Sequence, residues 1–335
     1  MESSGETVQL KQYYYIGVDL GGTNIKAVAI NKHGKIFCEK NIPTESEYGP
    51  PAVIRKIISI IDNFKTSKKL SKMKLVGIGI AVAGVVDMDQ GVCKFLPNLL
   101  TGWKDIPIIT QIEKQSNSKA FLINDVRATT LGEKTFGAGQ GVENLICITL
   151  GTGIGGGVVI NGQIYFGSEG VAGEIGHQII EPYGPRCTCG SRGCLEALAS
   201  GPALCSQAIK LVKQGSDTII RDLVDNDLNK IDPLVVENAA RQGDMLALEI
   251  WEREAYYLGL AIANLLVVLN PEMIIIGGGI SKAADLLFEP IKKTIRQRVF
   301  VGPDIDKLKL VRSKLGDEAG AIGAAIWAML NLSKK

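Results

Sequence analysis

Residues 13–30, YYYIGVDLGGTNIKAVAI, read as two strand-like runs joined by a short glycine turn. The runs Tyr13–Leu20 and Ile25–Ile30 are rich in β-branched and aromatic side chains, which suit a pleated, half-buried surface. Gly21-Gly22-Thr23-Asn24 has the composition of a hairpin tip. A third strand follows the turn at His33-Gly34, in INKHGKIFCEKNI. A helical stretch at about 50–65 and a buried strand, KLVGIGIAVAG (74–84), come next. FLINDV (121–126) is one more short strand and runs into the helical RATTLGEKTFG. The theme returns at 144–167, NLICITLGTGIGGGVVINGQIYFG, as strand, glycine turn, strand, turn and strand. Helices are expected over about 200–269, strands at 273–280 and 307–313, and a last helix from near Asp317, its N-cap. Glycine-turn hairpins at like positions in two halves point to a duplicated α/β fold with a cleft between two lobes.

The bulk numbers narrow the function classes. A chain of 335 residues is long for one core and suits two domains. Apolar residues make up 46% and charged ones 21%, with a formal net charge of +2, so nothing calls for nucleic acid or a membrane surface. The lysine run KTSKKLSKMK (65–74) reads as a solvated loop or helix end. The opening MESSGETVQLKQ lacks the apolar core of a signal peptide. The apolar stretch LGLAIANLLVVLNPEMIIIGG is interrupted by Asn264 and by Asn270-Pro271-Glu272, too often to span a bilayer.

Three glycine turns carry the candidate chemistry. Around the first, Gly21 and Gly22 let backbone N–H groups approach a phosphate, Thr23 and Asn24 add polar side chains, and Lys26 adds a positive charge. Asp19 could reach a hydrated magnesium ion. A plain type I′ hairpin is the alternative. The second turn, Gly151-Thr152-Gly153, opens a G-rich run that leads into a strand, where a dinucleotide fold needs a helix. No G-K-[ST] follows, so it is not a Walker loop. The third, Gly277-Gly278-Gly279, serves either packing or contact with an adenosine. Asn124-Asp125 closes a buried strand, where Asp125 is either a helix N-cap or a general base for a substrate hydroxyl.

Residues 174–196, EIGHQIIEPYGPRCTCGSRGCLE, hold one of the two histidines and three of the seven cysteines. His177, Cys187, Cys189 and Cys194 make a complete tetrahedral zinc set with no place for water, which marks a structural ion. Glu174 and Glu196 sit at its edges. Cys38, Cys93, Cys147 and Cys205 are scattered singly, and this cysteine usage fits a reducing compartment such as the cytoplasm.

Taken in order, these motifs make the chain resemble the ROK family of sugar kinases, in the actin-like, hexokinase-type ATPase superfamily. The resemblance runs from about residue 14 to 331. DLGGTNIK is similar to the family's first phosphate motif and LGTGIGGG to its second. GPRCTCGSRGCLE resembles its zinc motif, and PNLLTGWKDIP (97–107) the segment beside its sugar site. The span from Gly153 to His177 matches the family signature, ending in E-x-G-H.

The resemblance implies a two-lobed actin-like (ribonuclease H-like) ATPase fold of class α/β, with an interdomain cleft. It implies a smaller lobe over 1–125, with the helix at about 318–335 packed back on it, and a larger lobe over 126–317. It implies ATP-dependent phosphorylation of a hexose at its 6-hydroxyl, glucose foremost, with Mg2+ and a structural Zn2+ as cofactors. Asp125 becomes the catalytic base, and Gly84, Asn98, Asn124, Asp125, Glu174, His177 and Glu196 the sugar contacts. The nucleotide falls to Asp19, Gly21, Gly22, Thr23, Asn24, Lys26, Gly151, Thr152, Gly153 and Gly277 to Gly279. His177 would use one ring nitrogen for zinc and the other for the sugar. A homodimer or homotetramer is the family habit. Arg127 departs from the small residues or Asn of many relatives and is assigned a surface or interdomain salt bridge. Kinases of N-acetylmannosamine, N-acetylglucosamine or fructose share these motifs. Sugar-responsive repressors of the family carry a winged-helix domain ahead of the first hairpin, where this chain has about a dozen polar residues.

Overall fold

The computed structural model describes residues 12–96, 99, 102–301 and 304–333. Strands β1 (Gln12–Leu20), β2 (Asn24–Ile30) and β3 (Ile36–Pro43) lead to helix α1 (Gly49–Lys65). Then come β4 (Met73–Val82), β5 (Val85–Asp87), β6 (Val92–Phe95), β7 (Lys104–Ile106), α2 (Ile108–Ser116), β8 (Ala120–Asn124) and α3 (Asp125–Phe136). The next stretch holds β9 (Leu145–Leu150), β10 (Ile154–Ile160) and β11 (Gln163–Tyr165). Helices α4 (Leu195–Ala199), α5 (Gly201–Lys213), α6 (Ile220–Leu223), α7 (Pro233–Arg241) and α8 (Met245–Leu269) follow. The chain continues through β12 (Met273–Gly277), α9 (Asp285–Arg298), β13 (Lys309–Arg312) and α10 (Ala319–Ser333). No helix among the described residues is long and apolar enough to cross a membrane.

The chain divides into two compact units. One runs to Gly132 and resumes at Asp317; the other is Glu133–Gly316. The division lies beyond the 125/126 point expected from the motifs, because the first turns of α3 belong with the first unit. There Gly323 of α10 lies so near α3 that a methyl on it would stand 1.6 Å from the Ala128 carbonyl oxygen.

The first unit is built on a five-stranded sheet in the order β3-β2-β1-β4-β8. The first three strands pair antiparallel, and β4 and β8 are added in parallel. Helix α1 begins at Gly49-Pro50-Pro51, where proline's missing N–H costs nothing, and buries Val53, Ile54, Ile57, Ile58, Ile61 and Phe64 at helical spacing. On the sheet lies α10, made almost entirely of small and apolar residues. Glycines in the strands admit it: a methyl on Gly17 would stand 1.8 Å from the Ala321 oxygen, and one on Gly79 1.7 Å from the Ala324 oxygen. Trp327 of α10 donates its indole N–H to the Leu122 carbonyl at 2.8 Å. Gly79→Val should therefore cost about 3 kcal/mol or more by forcing helix and sheet apart. Urea unfolding would read this as a lower midpoint, and an unchanged midpoint would contradict the packing. Strands β5, β6 and β7 form a separate small antiparallel sheet that the sequence reading does not contain.

The second unit repeats the plan. Its sheet order is β11-β10-β9-β12-β13, again with two antiparallel pairings followed by two parallel ones. The duplication expected from the two glycine hairpins is thus present strand for strand. Helix α8 is capped by Asp244, which accepts from Ala247 N–H at 2.8 Å, and ends at Asn270 in the left-handed conformation. It buries Ile250, Trp251, Leu258, Ile262 and Leu266 in this unit's core. Glu133 of α3 is fully buried, and its carboxylate accepts from the N–H groups of Ala138, Lys314 and Leu315 at 2.8–3.1 Å.

Candidate active site

In the first unit, parallel pairing sets three strand ends side by side: Leu20 is opposite Val82, and Val82 opposite Asn124. That register brings Asp19, Gly84 and Asn124-Asp125 to one end of the sheet. The first glycine turn lies there too. Neither Gly21 nor Gly22 is in the left-handed region, so the tip is not the type I′ turn that its composition also allowed. The turn closes by Gly21 N–H to Asn24 O at 3.0 Å. Thr44, which sequence reasoning missed, latches it: its hydroxyl donates to Gly21 O at 2.7 Å and its N–H to Thr23 O at 2.8 Å. Lys26 extends to Asp317, donating to its carbonyl at 3.2 Å.

Asn124 rather than Asp125 caps α3. Its side-chain oxygen accepts from Val126 and Arg127 N–H at 3.1 and 3.3 Å, and its amide donates to Gly84 O at 3.2 Å. Asp125 is thereby free of the capping role. Burial and the Asp19 carboxylate push its carboxyl up to about 7, against smaller opposing effects of the Val126 and Asp125 N–H groups and Arg127. Asp19 itself is raised to about 6 by burial, with Lys26 pulling it back. Arg127 is 4% exposed, which removes the surface option from the two expected for its salt bridge. Asn98 lies outside the described residues.

In the second unit, Thr149 of β9 is paired with Gly277 of β12, so the second and third glycine turns adjoin. Gly278 adopts φ +84°, and a methyl on it would stand 2.1 Å from the Leu150 oxygen. Gly201 at the start of α5, not foreseen from its sequence context, donates its N–H to Gly151 O at 3.0 Å.

Glu174 precedes a single 3-10 turn, Ile175–His177, which His177 ends, with Glu174 exposed. Ile179 pairs with Cys194 and Arg186 with Arg192, folding the cysteine loop back on itself. The donor atoms of His177, Cys187, Cys189 and Cys194 all lie within 4.8 Å of one another. Cys187 Sγ is 3.8 Å from His177 Nδ1, and Cys189 Sγ is 3.7 Å from Cys194 Sγ. A tetrahedron with Zn–S bonds of about 2.3 Å has edges of about 3.8 Å, so the donor set fits zinc. Glu196 accepts from Ile154 N–H at 3.0 Å and from the Thr188 hydroxyl at 3.3 Å.

The pattern of the ROK family matches residues 15–330. The chain belongs to the ROK family. A glucokinase of Thermotoga maritima is 38% identical over 313 residues, spanning 92% of this chain and 95% of its own length. A xylose repressor of Caldicellulosiruptor bescii is 33% identical, over 92% of this chain and 76% of the repressor. Among solved structures, a ROK family glucokinase from Streptomyces griseus, in complex with glucose and AMPPNP, is similar with a TM-score of 0.80 and 33% identity. It covers 95% of this chain and 99% of that one. The two matching sheets are accordingly those of the actin-like ATPase fold that ROK sugar kinases share.

Proposed function

We propose that this ROK protein transfers the γ-phosphoryl group of ATP to the 6-hydroxyl of a hexose, with glucose as the favoured acceptor. The observation that carries the proposal is Asp125: a buried carboxylate at a strand end, relieved of capping by Asn124 and raised to about 7. A base matched to neutral pH removes a hydroxyl proton most effectively. The glucokinase names of the similar proteins support the same reading.

Asp125 accepts the proton of the 6-hydroxyl as that oxygen attacks the γ-phosphorus, and ADP departs with the electrons of the broken bond. N–H groups of the turns at Gly21 to Asn24 and Gly151 to Gly153 face the phosphates, with Thr23, Thr152 and Lys26 beside them, while Gly277 to Gly279 take the adenosine side. Mg2+, when bound, neutralises phosphate charge, and Asp19 is the residue proposed to hold its water shell. Glu174, His177 and Glu196 contact the sugar hydroxyls together with Gly84, Asn98 and Asn124. With Nδ1 on zinc, the His177 ring would keep Nε2–H as a fixed donor to the sugar. His177, Cys187, Cys189 and Cys194 would hold zinc, which would fix the loop that carries these groups, and a thiolate ligand set suits the cytoplasm.

A coupled ADP-release assay over glucose, fructose, mannose, N-acetylglucosamine and N-acetylmannosamine tests the reading. Glucose should give the highest kcat/KM, and no turnover with any of them would refute it. The raised carboxyl sets the sign of the pH dependence. Activity needs the deprotonated base, so kcat/KM for glucose should climb as pH rises through about 7 and level off above it. A profile that is flat from pH 5 to 8 would remove Asp125 from the role.

A further inference from the structure

We propose that Glu196 couples nucleotide binding to hexose binding, one carboxylate oxygen holding the tip of the second glycine hairpin and the other holding the cysteine loop. This rests on the kinase reading above and assigns Glu196 a positioning role in addition to its sugar contact.

Glu196 lies in the first turn of the short helix α4, immediately after the cysteine loop. Its Oε2 accepts from the N–H of Ile154, the first residue of β10, at 3.0 Å. The same oxygen fills the side-chain space of Gly153, where a methyl would stand 2.5 Å from it. Its Oε1 accepts from the Thr188 hydroxyl at 3.3 Å and lies 3.8 Å from Cys187 Sγ, which is in turn 3.8 Å from His177 Nδ1. A second contact runs the same way: Gly176, next to His177, packs on the Ile154 carbonyl so tightly that a methyl would stand 2.0 Å from its oxygen. The hairpin tip is therefore fastened to the loop by a charged hydrogen bond and by backbone packing. A shift of the loop on binding a sugar moves the N–H groups presented to phosphate. By linkage, phosphate binding must act back on the sugar with the same factor.

Two variants test this from opposite sides, by calorimetry with single ligands and no turnover. Glu196→Gln keeps shape but loses the charge, and its affinity for AMPPNP in the absence of sugar should fall by about 5-fold or more. Gly153→Ala places its change in the phosphate turn. Gly153 is outside the left-handed region, so alanine suits its backbone, yet the methyl displaces Glu196. Its affinity for glucose in the absence of nucleotide should fall by about 5-fold or more. In the unaltered protein, glucose and AMPPNP should strengthen each other's binding, and in both variants this mutual effect should shrink. If Glu196→Gln alters glucose affinity alone and Gly153→Ala alters AMPPNP affinity alone, the coupling is overturned. Thr188→Val guards against misfolding of either variant. It removes the hydroxyl bonded to Oε1, and weaker AMPPNP binding at unchanged zinc content supports the coupling, whereas unchanged AMPPNP binding opposes it. A protein that binds neither ligand before any substitution would instead bring down the kinase reading.

Discussion

Asp125→Asn is expected to lower turnover by about 10²- to 10⁴-fold while hexose binding stays measurable. The argument rests on how little else the change disturbs. Asparagine has the shape of the protonated carboxyl, and with the group titrating near 7 that neutral form is already well populated at neutral pH. Capping of α3 is untouched, because Asn124 supplies it. The effect on stability also has a definite sign. The folded protein holds the Asp125 proton up to about pH 7, whereas an unfolded chain releases it near 4, so stability falls as pH rises across that window. Asparagine carries no such cost. The variant should therefore melt higher than the unaltered protein at pH 8, with little difference at pH 4. ADP release, glucose calorimetry and melting curves at the two pH values give all three readings. Activity within about tenfold of normal would show that the proton goes elsewhere.

Cys187→Ser is expected to empty the zinc site and abolish turnover. The unaltered protein should contain about one zinc per chain by elemental analysis, and the variant much less. Serine matches cysteine in size, so packing is conserved and the loss is one of ligand chemistry. Cys187 is buried, and its sulfur stands 3.8 Å from both His177 Nδ1 and Glu196. Metal binding is coupled to ordering of the ligand segment, so without it His177 loses its fixed ring orientation and the loop over 174–196 loses its centre. Hexose affinity should drop by about 100-fold or more, with the rest of the fold melting normally. A metal-free protein that binds glucose as well as the loaded one would oppose this.

The alternating strands and glycine turns were legible because their signals are local. Periods of two residues and turn compositions recur in both halves, and the structure repeats the sheet order in both units. The small sheet of β5, β6 and β7 was illegible because its strands are three or four residues long, too short to show a period. Whether Asp125 caps α3 or is free to act as a base stayed open in the sequence, since Asn and Asp suit the cap about equally and only the hydrogen bonds of Asn124 separate them. Of the surface and interdomain salt bridges expected for Arg127, its burial removes the first, and no neighbour in sequence announces that burial. The bond from Ile154 to Glu196 spans 42 residues and depends on how the cysteine loop folds over the hairpin, which no spacing rule conveys.

The place of α10 carries a consequence for how the protein is made. The helix closes a sheet whose other strands are translated far earlier: Trp327 and its partner Leu122 are 205 residues apart. At about 5 to 20 residues per second that gap lasts roughly 10 to 40 s. Throughout it the groove over Gly17 and Gly79 stays uncovered on the nascent chain, while the second unit, made continuously, can collapse as soon as it emerges. The half synthesised first is thus the last to be finished, and protection from aggregation is needed at that groove.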